Sequence, residues 1–527
     1  MSRPLVRCAQ VAFVVLCLAP IAVMLLRIRG GDVDELFGER ILSLIARTTY
    51  MGAGVAAVAV AIGAPFGWLV ARTDVPGGSW MRPLGIVPLL LPPLMLAMTW
   101  AVIVPTFRGA PATITFLGLS TFPLVALFVA RAAERIDGRI EEAALQVGGL
   151  RTVLAMELPL LAPAALTGAC LAFTFAVNDF GVPDYVSSVG PKFNVYADEI
   201  KLNWDQYQQP GLAVASALPL VLLCLAALMP ALALRRRGAM ASLAEGFVQP
   251  RRLRLGPWRW PALGFCLAVV AAGTFVPLLR LLWEAGAMPQ QVQEHGSLAA
   301  ALPEGLRRVG TEFGVALERA RKDLANSLLY SAGAALLCAP LGLVLGHAIE
   351  RARTRRRRFL GETVSLVPIA APALLFGIGA ITLWNHDWSA RFYDSGWMAV
   401  LLFAGKYLPF AILISAGAVA AVGKELEEAA ALVGASPTRR LLSIVAPALS
   451  GTLVASLVLV FVFAMRDLDA ALLVPAANKT AIMRVFNGVH FGRDSYVAAL
   501  SLLLVFAILL PGILYTVFAR KRLEILP

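Results

Sequence analysis

Long apolar runs, each about the length of one transmembrane helix, alternate with short polar connections along the chain. A helix needs roughly 20 predominantly apolar residues to cross the hydrocarbon core of a bilayer. Twelve runs meet that requirement, at residues 9–26, 50–71, 84–105, 112–131, 160–177, 211–234, 261–283, 326–348, 362–384, 395–418, 444–465 and 495–518. The pattern therefore predicts an all-α polytopic membrane protein with about 12 transmembrane helices.

The composition supports this class and excludes several others. Hydrophobic residues make up 59% of the 527 residues and charged residues 15%, with a mean hydropathy of +0.76. A typical soluble domain is roughly 45–50% apolar and about 25% charged. The same numbers exclude a disordered chain, a collagen, a coiled coil and a small disulfide scaffold.

The net charge of +13 is concentrated in a few connections, so it indicates membrane topology and not nucleic-acid binding. Basic clusters follow the sixth, eighth and twelfth runs, and their members are Arg235, Arg236, Arg237, Arg251, Arg252, Arg254 and Arg259, then Arg351, Arg353, Arg355, Arg356, Arg357 and Arg358, then Arg520, Lys521 and Arg522. Counting from a cytoplasmic N-terminus places all three clusters in the cytoplasm, as the positive-inside rule requires. Both termini are therefore predicted to be cytoplasmic.

The first apolar run has two interpretations. Arg3 and Arg7 before an apolar stretch also resemble a secretory signal. Arg27 and Arg29 follow directly, however, and no small-residue cleavage site follows the run cleanly. We expect a retained span.

Four short patterns occur twice in the same order, which predicts an internal duplication. The pairs are Ala64-Pro65-x-Gly67 with Ala339-Pro340-x-Gly342, Val87-Pro88-x-x-x-Pro92 with Val367-Pro368-x-x-x-Pro372, Pro123 and Glu142 with Pro409 and Glu428, and Asp179 with Asp467. Six spans are an even number, so both repeats enter the membrane in the same direction. We predict a first six-span repeat at 1–234, an Arg-rich cytoplasmic linker at 235–260 and a second six-span repeat at 261–527. Small residues at Gly63-x-x-x-Gly67 and Gly342-x-x-x-Gly346 are expected to serve helix packing.

One polar motif occurs in the same cytoplasmic connection of each repeat. Loop 1, residues 135–149, reads R-I-D-G-R-I-E-E-A-A-L-Q-V-G-G, and loop 2, residues 424–440, reads K-E-L-E-E-A-A-A-L-V-G-A-S-P-T-R-R. Each sequence predicts a short helix that is broken at a glycine, Gly148 or Gly434, where the chain can turn without a Cβ penalty.

The ends of these helices carry capping residues. Asp137 is expected to cap the helix of loop 1, and Glu141 and Glu142 suit the positive end of that helix. In loop 2, Ser436 and Pro437 are expected to begin a second short helix. Each loop thus predicts a helix–turn–helix that runs into the next span.

The duplicated motif resembles a hallmark of the membrane component of binding-protein-dependent ABC importers, E-A-A-x3-G-x9-I-x-L-P in a cytoplasmic loop. The matching residues are Glu142, Ala143, Ala144 and Gly148 in loop 1, and Glu428, Ala429, Ala430 and Gly434 in loop 2. Loop 2 continues to Ile444 and Pro447 with alanine in place of the leucine, and loop 1 reaches Pro159 two residues early. The resemblance covers both halves of the chain. It implies that these residues form coupling helices that dock on an ATP-hydrolysing subunit.

The resemblance also implies a set of partners. One chain with two coupling loops would bind two copies of an ATP-binding subunit in a bacterial inner membrane, and a periplasmic or extracellular binding protein would deliver the substrate. The chain contains no G-x-x-x-x-G-K-[ST] phosphate loop, so we expect ATP hydrolysis on the partners and no enzymatic activity here. No cofactor is expected, and the scattered histidines and cysteines show no metal-ligand spacing.

Polar residues follow the fifth and eleventh spans, Asn178 with Asp179 and Arg466 with Asp467. Such groups are often merely interfacial, but ionisable groups near the membrane interior are costly and often functional, which favours a translocation path. The D-F-G-x-P string from Asp179 is similar to the same region of ferric-iron-type permeases. Ferric iron is therefore the expected substrate, with thiamine, polyamine and phosphonate as alternatives.

Two other classes remain to be weighed. A stand-alone secondary transporter also has twelve spans in two parallel halves, but it needs coupling-ion carboxylates, and the span interiors contain almost none. A membrane-embedded enzyme would need a His/Asp/Glu cluster within a span, which the sequence does not show.

Overall fold

The structure is a computed structural model that describes residues 3–28, 38–205, 210–238, 248, 250–490 and 494–523. Within these residues, nine helices are long and apolar enough to cross a membrane, and three bent helix pairs raise the number of candidate spans to 12. Spans 1 to 12 are Pro4–Leu25, Glu39–Arg72, Gly78–Leu90 with Pro93–Ile103, Gly109–Ala133, Gly138–Asn178, Gly211–Ala233, Gly256–Ala285, Leu298–Glu350, Arg355–Ala370 with Ala373–Trp384, Gly396–Ala421, Pro437–Ala448 with Ser450–Arg466, and Asp494–Ile513. The predicted all-α polytopic fold is confirmed.

Shorter helices connect several spans. They are Gly181–Val189 and Tyr196–Asp205 after span 5, Met288–His295 before span 8, Ala390–Tyr393 after span 9, Glu425–Leu432 before span 11, and Leu468–Ala471 and Ala481–His490 after span 11. The described residues form no strand, and an isolated β-bridge pairs Thr73 with Leu253. Backbone hydrogen bonding is thus satisfied almost entirely inside helices, as a bilayer demands.

Spans 3 and 9, which the sequence predicts as continuous runs, are sharply bent at the same motif of each repeat. The two halves of span 3 meet at 96° and those of span 9 at 92°. Leu91 (φ −73°, ψ 142°) and Ala371 (φ −75°, ψ 132°) are extended at the break, and each precedes a proline. A proline ring clashes with a helical residue before it, so the first half of the span ends there. Span 11 bends by 77°.

The described residues pack into two compact units that do not follow the order of the repeats. Unit 1 falls within 1–36, 200–218 and 282–527, and unit 2 falls within 37–199 and 219–281. Unit 1 therefore contains span 1 with most of the second repeat, and unit 2 contains most of span 7 with much of the first repeat. The predicted boundaries at 234 and 261 stay a prediction about duplication in the sequence, while packing divides the chain elsewhere.

Close backbone contact explains why span 1 belongs to unit 1. The carbonyls of Leu16 and Pro20 approach Gly405 and Gly379 so closely that a Cβ on either glycine would collide with them. Leu16 lies in a π-helical turn, Val14–Leu18. Such a turn widens the helix and shifts its carbonyls outward.

Span 7 packs within unit 2 through a π-helical turn of its own, Ala271–Phe275. Trp100 Nε1 donates a hydrogen bond to the carbonyl of Ala272 (3.1 Å), and Thr274 Oγ1 donates to the carbonyl of Leu84 (3.1 Å). The first span of each repeat thus carries the same irregular turn at its packing contact. Periodicity in the sequence cannot reveal that these spans pack with the other repeat.

Small residues bring spans 2 and 4 together in unit 2, and spans 8 and 10 together in unit 1. A Cβ on Gly67 would meet the backbone of Ala126, and a Cβ on Gly342 would lie 2.8 Å from the carbonyl carbon of Ala411. The predicted packing role of these glycines is confirmed, since helices can approach this closely only without side chains between them.

Gly67→Val is expected to destabilise the protein by roughly 1–3 kcal/mol, the usual cost of overpacking, because the colliding atoms are backbone and cannot change rotamer. Gly264→Val is the matched control, because no atom of the described residues, other than its chain neighbours and the backbone of its own helix, lies within 4 Å of the Cβ position at Gly264. Thermal unfolding in detergent compares the two. An equal loss of stability in both variants would contradict the packing role.

Candidate functional site

Loop 1 forms the predicted helix and break. The helix begins at Gly138, where Asp137 Oδ1 accepts a hydrogen bond from the backbone of Arg139 at 3.0 Å, so the predicted cap is confirmed. The break covers Gly148 (φ −157°, ψ 20°) and Gly149 (φ +64°, ψ −155°), so the predicted break at Gly148 is confirmed. The residue with positive φ is the adjacent Gly149, and only a glycine adopts that conformation freely.

Loop 2 forms the helix Glu425–Leu432 and then a sharp turn. Gly434 has φ +79°, its N–H donates to the carbonyl of Ala431 (3.1 Å), and Ala435 N–H donates to that of Ala430 (3.0 Å). This pair of bonds is the Schellman motif, which ends a helix with a left-handed residue. Ser436 Oγ accepts a bond from the backbone of Arg439 (3.3 Å) ahead of Pro437–Arg440, so the predicted second helix is confirmed.

Both loop helices expose an acidic group beside apolar side chains. Glu142 and Glu428, the acidic residues of the E-A-A motifs, are exposed in both copies. Val147 is 84% exposed, and Val433, which occupies the same motif position, is also 84% exposed. Ala143 and Ala429 are exposed as well, whereas Ala144 is buried and Ala430 is half-buried. Apolar side chains exposed beside a charge in both copies make these helices candidate protein–protein contact surfaces.

The residue before each motif glutamate points inward and was not assigned this role from the sequence. Glu141 forms a buried ion pair with Arg72, the last residue of span 2. Arg72 also lies 3.7 Å from Glu157, whose other oxygen accepts a hydrogen bond from Trp68 Nε1 at 2.5 Å. The E-E doublet in both copies was the available signal, because it contains one more carboxylate than the family motif needs.

The second copy places Glu427 in the same position with different partners. His347 Nε2 lies 2.9 Å from Glu427 Oε2, and Arg351 Nε donates to Glu427 Oε1 at 2.9 Å. Arg351 also donates to the carbonyl of Val422 (2.8 Å) at the end of span 10. Burial raises the pKa of Glu427, but the hydrogen bonds and charges of His347 and Arg351 outweigh burial and leave that pKa below its ordinary value.

The linker packs against loop 1. Gly138 N–H donates to the carbonyl of Val248 (3.0 Å), and Arg72 donates to that of Arg251 (3.2 Å). Leu253 N–H donates to the carbonyl of Arg72 (2.7 Å), and the Leu253 side chain packs in a small cluster with Ala144. The Arg-rich segment predicted as a cytoplasmic linker therefore also packs against loop 1 and Arg72.

Of the predicted path residues, Asn178 and Arg466 end spans 5 and 11, and Asp179 and Asp467 stand before the short helices that follow. Asp179 Oδ1 accepts a bond from Val182 N–H (2.9 Å), and Asp467 Oδ1 accepts one from Ala470 N–H (3.0 Å). Asn178 lies beside Cys224, whose Sγ is 4.0 Å from its side-chain oxygen. Asp179 and Asp467 thus share a capping role at equivalent places of the two repeats.

Asp467 additionally forms a buried polar cluster with two side chains of span 10. Tyr407 donates a hydrogen bond to Asp467 Oδ2 (2.5 Å), and Lys406 Nζ lies 3.3 Å from the same oxygen. Arg466 is buried with its guanidinium 5.1 Å from the ring centre of Phe463. Lys406 was missed although it is the only charged residue in the apolar run 395–418. Among the described residues, no group of three or more His, Cys, Asp or Glu could hold a metal ion.

Comparison with known proteins identifies the family. A sequence profile described as "binding-protein-dependent transport system inner membrane component" matches residues 63–248 and again residues 339–524, together more than half of the chain. The chain belongs to this family. It contains the family's domain twice, so it is a fused permease, and loops 1 and 2 both lie inside the matched ranges.

The permease is similar to several characterised relatives. It is 22% identical over 494 residues to the Fe(3+)-transport system permease protein FbpB 2 of Haemophilus influenzae, with 92% of each chain covered. It is 27% identical to the molybdate/tungstate transport system permease protein WtpB of Thermococcus kodakarensis, over 31% of this chain and 68% of that protein. It is 28% identical to the molybdenum transport system permease protein ModB of Escherichia coli, over 26% of this chain and 69% of that protein. These relatives are permease subunits and not enzymes.

Gly434→Val should weaken partner binding at loop 2, because a β-branched residue at φ +79° strains the turn by roughly 1–2 kcal/mol. Gly434→Asn is the matched control, since asparagine tolerates the left-handed conformation. Copurification of the cognate ATP-binding subunit is the measurement. Undiminished yield with valine would show that the turn geometry is not needed.

Proposed function

We propose that the permease is the membrane subunit of an ABC importer that moves a substrate from a binding protein into the cytoplasm. Two copies of a separate ATP-binding subunit would dock on loops 1 and 2 and supply the energy by ATP hydrolysis. The observation that carries the proposal is the pair of coupling helices, each with an exposed glutamate and an exposed valine and each ended by a left-handed glycine.

The way the loops are joined to the spans supports transmission of movement. Loop 1 continues into span 5 within the helix Gly138–Asn178, and loop 2 leads through Pro437–Ala448 into span 11. A short helix fixed to two spans moves as a rigid body when its partner moves. A stand-alone transporter has no use for two such loops, so this geometry favours the importer.

We place both loops and both termini in the cytoplasm of a bacterial inner membrane. Twelve spans return the chain to its starting side, and the linker that packs on loop 1 is rich in arginine. Positive connections stay on the cytoplasmic side. The binding protein would then meet the permease on the opposite side.

Ferric iron is the proposed substrate. The iron permease FbpB 2 matches 92% of this chain, whereas the molybdate relatives match about a third of it or less. We further propose that Asn178, Asp179, Arg466 and Asp467 border the translocation path. Asp467 with Lys406 is a buried charge pair at a membrane span, where polar groups are costly without a function.

Charge reversal at both motif glutamates, Glu142→Lys with Glu428→Lys, should abolish copurification of the ATP-binding subunit, since it places cations on both exposed helices. The double variant Glu294→Lys with Glu318→Lys is the control, with the same charge change at exposed positions outside the loops. If no ATP-binding subunit accompanies even the wild type, a stand-alone transporter becomes the better proposal.

Vesicles that contain the permease, its ATP-binding subunit and its binding protein should accumulate iron in an ATP-dependent manner. Asp467→Asn should slow uptake strongly while leaving the ATP-binding subunit bound, because asparagine keeps Oδ1 for the backbone N–H of Ala470 but replaces Oδ2, the acceptor for Tyr407 and the partner of Lys406, with an uncharged NH2 group. Uptake of molybdate without iron would overturn the substrate. Unchanged iron uptake by Asp467→Asn would remove this residue from the path.

A further inference from the structure

The two repeats place a carboxylate at the same internal position of each coupling helix. Glu141 and Glu427 both stand directly before the motif glutamate. Their side chains are only 4% and 14% exposed, whereas Glu142 and Glu428 are exposed. One carboxylate of each doublet therefore faces the permease, and the other faces outward.

The partner of each inward carboxylate also occupies an equivalent position. Arg72 lies five residues after Gly67 in span 2, and His347 lies five residues after Gly342 in span 8. Gly67 and Gly342 are the paired glycines of the duplication. Unit 2 contains the contact between Arg72 and Glu141, and unit 1 contains the equivalent contact between His347 and Glu427. The two contacts occupy the same place in each repeat but use a different basic side chain.

We propose that Glu141 and Glu427 are positioning residues that tie each coupling helix to the last turn of span 2 or span 8, so that movement of a docked ATP-binding subunit reaches that span. The inference rests on the proposed function, because it needs a docked ATP-binding subunit. It assigns these carboxylates a task different from docking, which belongs to the exposed face.

The surroundings of the two ties differ in one informative way. In the first repeat, Glu157 lies beside Arg72 and so supports the contact between Arg72 and Glu141. Glu157 is itself held by Trp68, whose Nε1 donates to Glu157 Oε2 at 2.5 Å. The matching positions of the second repeat, Val445 and Leu343, pack instead in an apolar cluster. The second tie replaces that polar support with Arg351, which bonds both Glu427 and Val422.

This difference decides which tie can be tested cleanly. Removing Glu141 would leave Arg72 buried beside Glu157 with altered charge balance, and breaking a buried pair destabilises the fold. Glu427 and Arg351 are more exposed, at 14% and 15% of their side chains. Substitutions there change the tie with less risk to folding.

The charged groups around the second tie come from several elements. Arg351 and His347 belong to the end of span 8, and Arg440, whose Nη1 lies 3.4 Å from the carbonyl of Glu427, belongs to the start of span 11. Arg351 keeps the carbonyl of Val422 as an acceptor when the charge of Glu427 is removed, so Glu427→Gln weakens the tie without depriving this guanidinium of every acceptor.

The test compares Glu427→Gln with Glu428→Gln in vesicles that contain the ATP-binding subunit and the binding protein. Two quantities are measured: the concentration of ATP-binding subunit needed for half-maximal ATP hydrolysis, and substrate moved per ATP hydrolysed. We expect Glu427→Gln to leave the half-maximal concentration unchanged and to lower the substrate moved per ATP by roughly tenfold, the size of one lost charge-assisted hydrogen bond. Glu428→Gln should raise the half-maximal concentration and leave the substrate moved per ATP near that of the wild type.

A charge exchange separates positioning from simple loss of structure. Arg351→Glu and Glu427→Arg should each lower transport per ATP, and the double variant should restore it because the ion pair is re-formed with reversed polarity. His347→Arg should retain coupling, since the first repeat has arginine at that position. If Glu427→Gln alone folds poorly, restored transport per ATP in the double variant still tests the ion pair.

Three results would overturn the inference. Wild-type transport per ATP in both Glu427→Gln and Arg351→Glu would show that the tie carries no movement. Loss of ATP-binding subunit affinity in Glu427→Gln, equal to that of Glu428→Gln, would make Glu427 part of the docking surface. If no ATP-binding subunit binds the wild-type permease, the proposed function itself is overturned, and this inference with it. The first two results would overturn the inference alone.

Discussion

The hydrocarbon core of the bilayer offers no partner for a backbone N–H or carbonyl, and this constraint shapes the whole molecule. It explains why the described residues are almost entirely helical and why the exceptions are placed so specifically. Spans 3 and 9 break only where a proline follows an extended residue, and spans 1 and 7 carry a π-helical turn at a packing contact. In span 7 the neighbouring side chain of Trp100 donates to a carbonyl of that turn. Irregular backbone occurs where packing can stabilise it.

The same constraint sorts the polar side chains. Two buried ion pairs illustrate this, Arg72 with Glu141 at the end of span 2 and Lys406, inside span 10, with Asp467. A buried charge without a partner would cost far more than the pair. These pairs hold together elements that the chain connects only distantly.

The duplication shows what is held constant when the side chains diverge. Both repeats retain the bend before the second proline of V-P-x-x-x-P, the close contact at the paired glycines and the inward carboxylate of the E-E doublet. The partners of that carboxylate differ, with arginine in one repeat and histidine with arginine in the other. Backbone geometry is therefore more similar between the halves than their chemistry. The linker adds a further difference, because its contacts are with the first loop.

The sequence by itself determined the twelve candidate spans, the duplication, the helices of loops 1 and 2 and the turn at Gly434, because each depends on local patterns of apolar residues, glycine and capping groups. It did not determine which of the two adjacent glycines of loop 1 takes the positive φ, since both satisfy the same pattern. Only the tertiary structure decided that Glu141 faces inward and Glu142 outward. Adjacent helical residues point about 100° apart, and packing chooses which one is buried. It likewise decided that spans 1 and 7 pack with the other repeat, because the sequence records which helix faces are apolar but not which helix covers them.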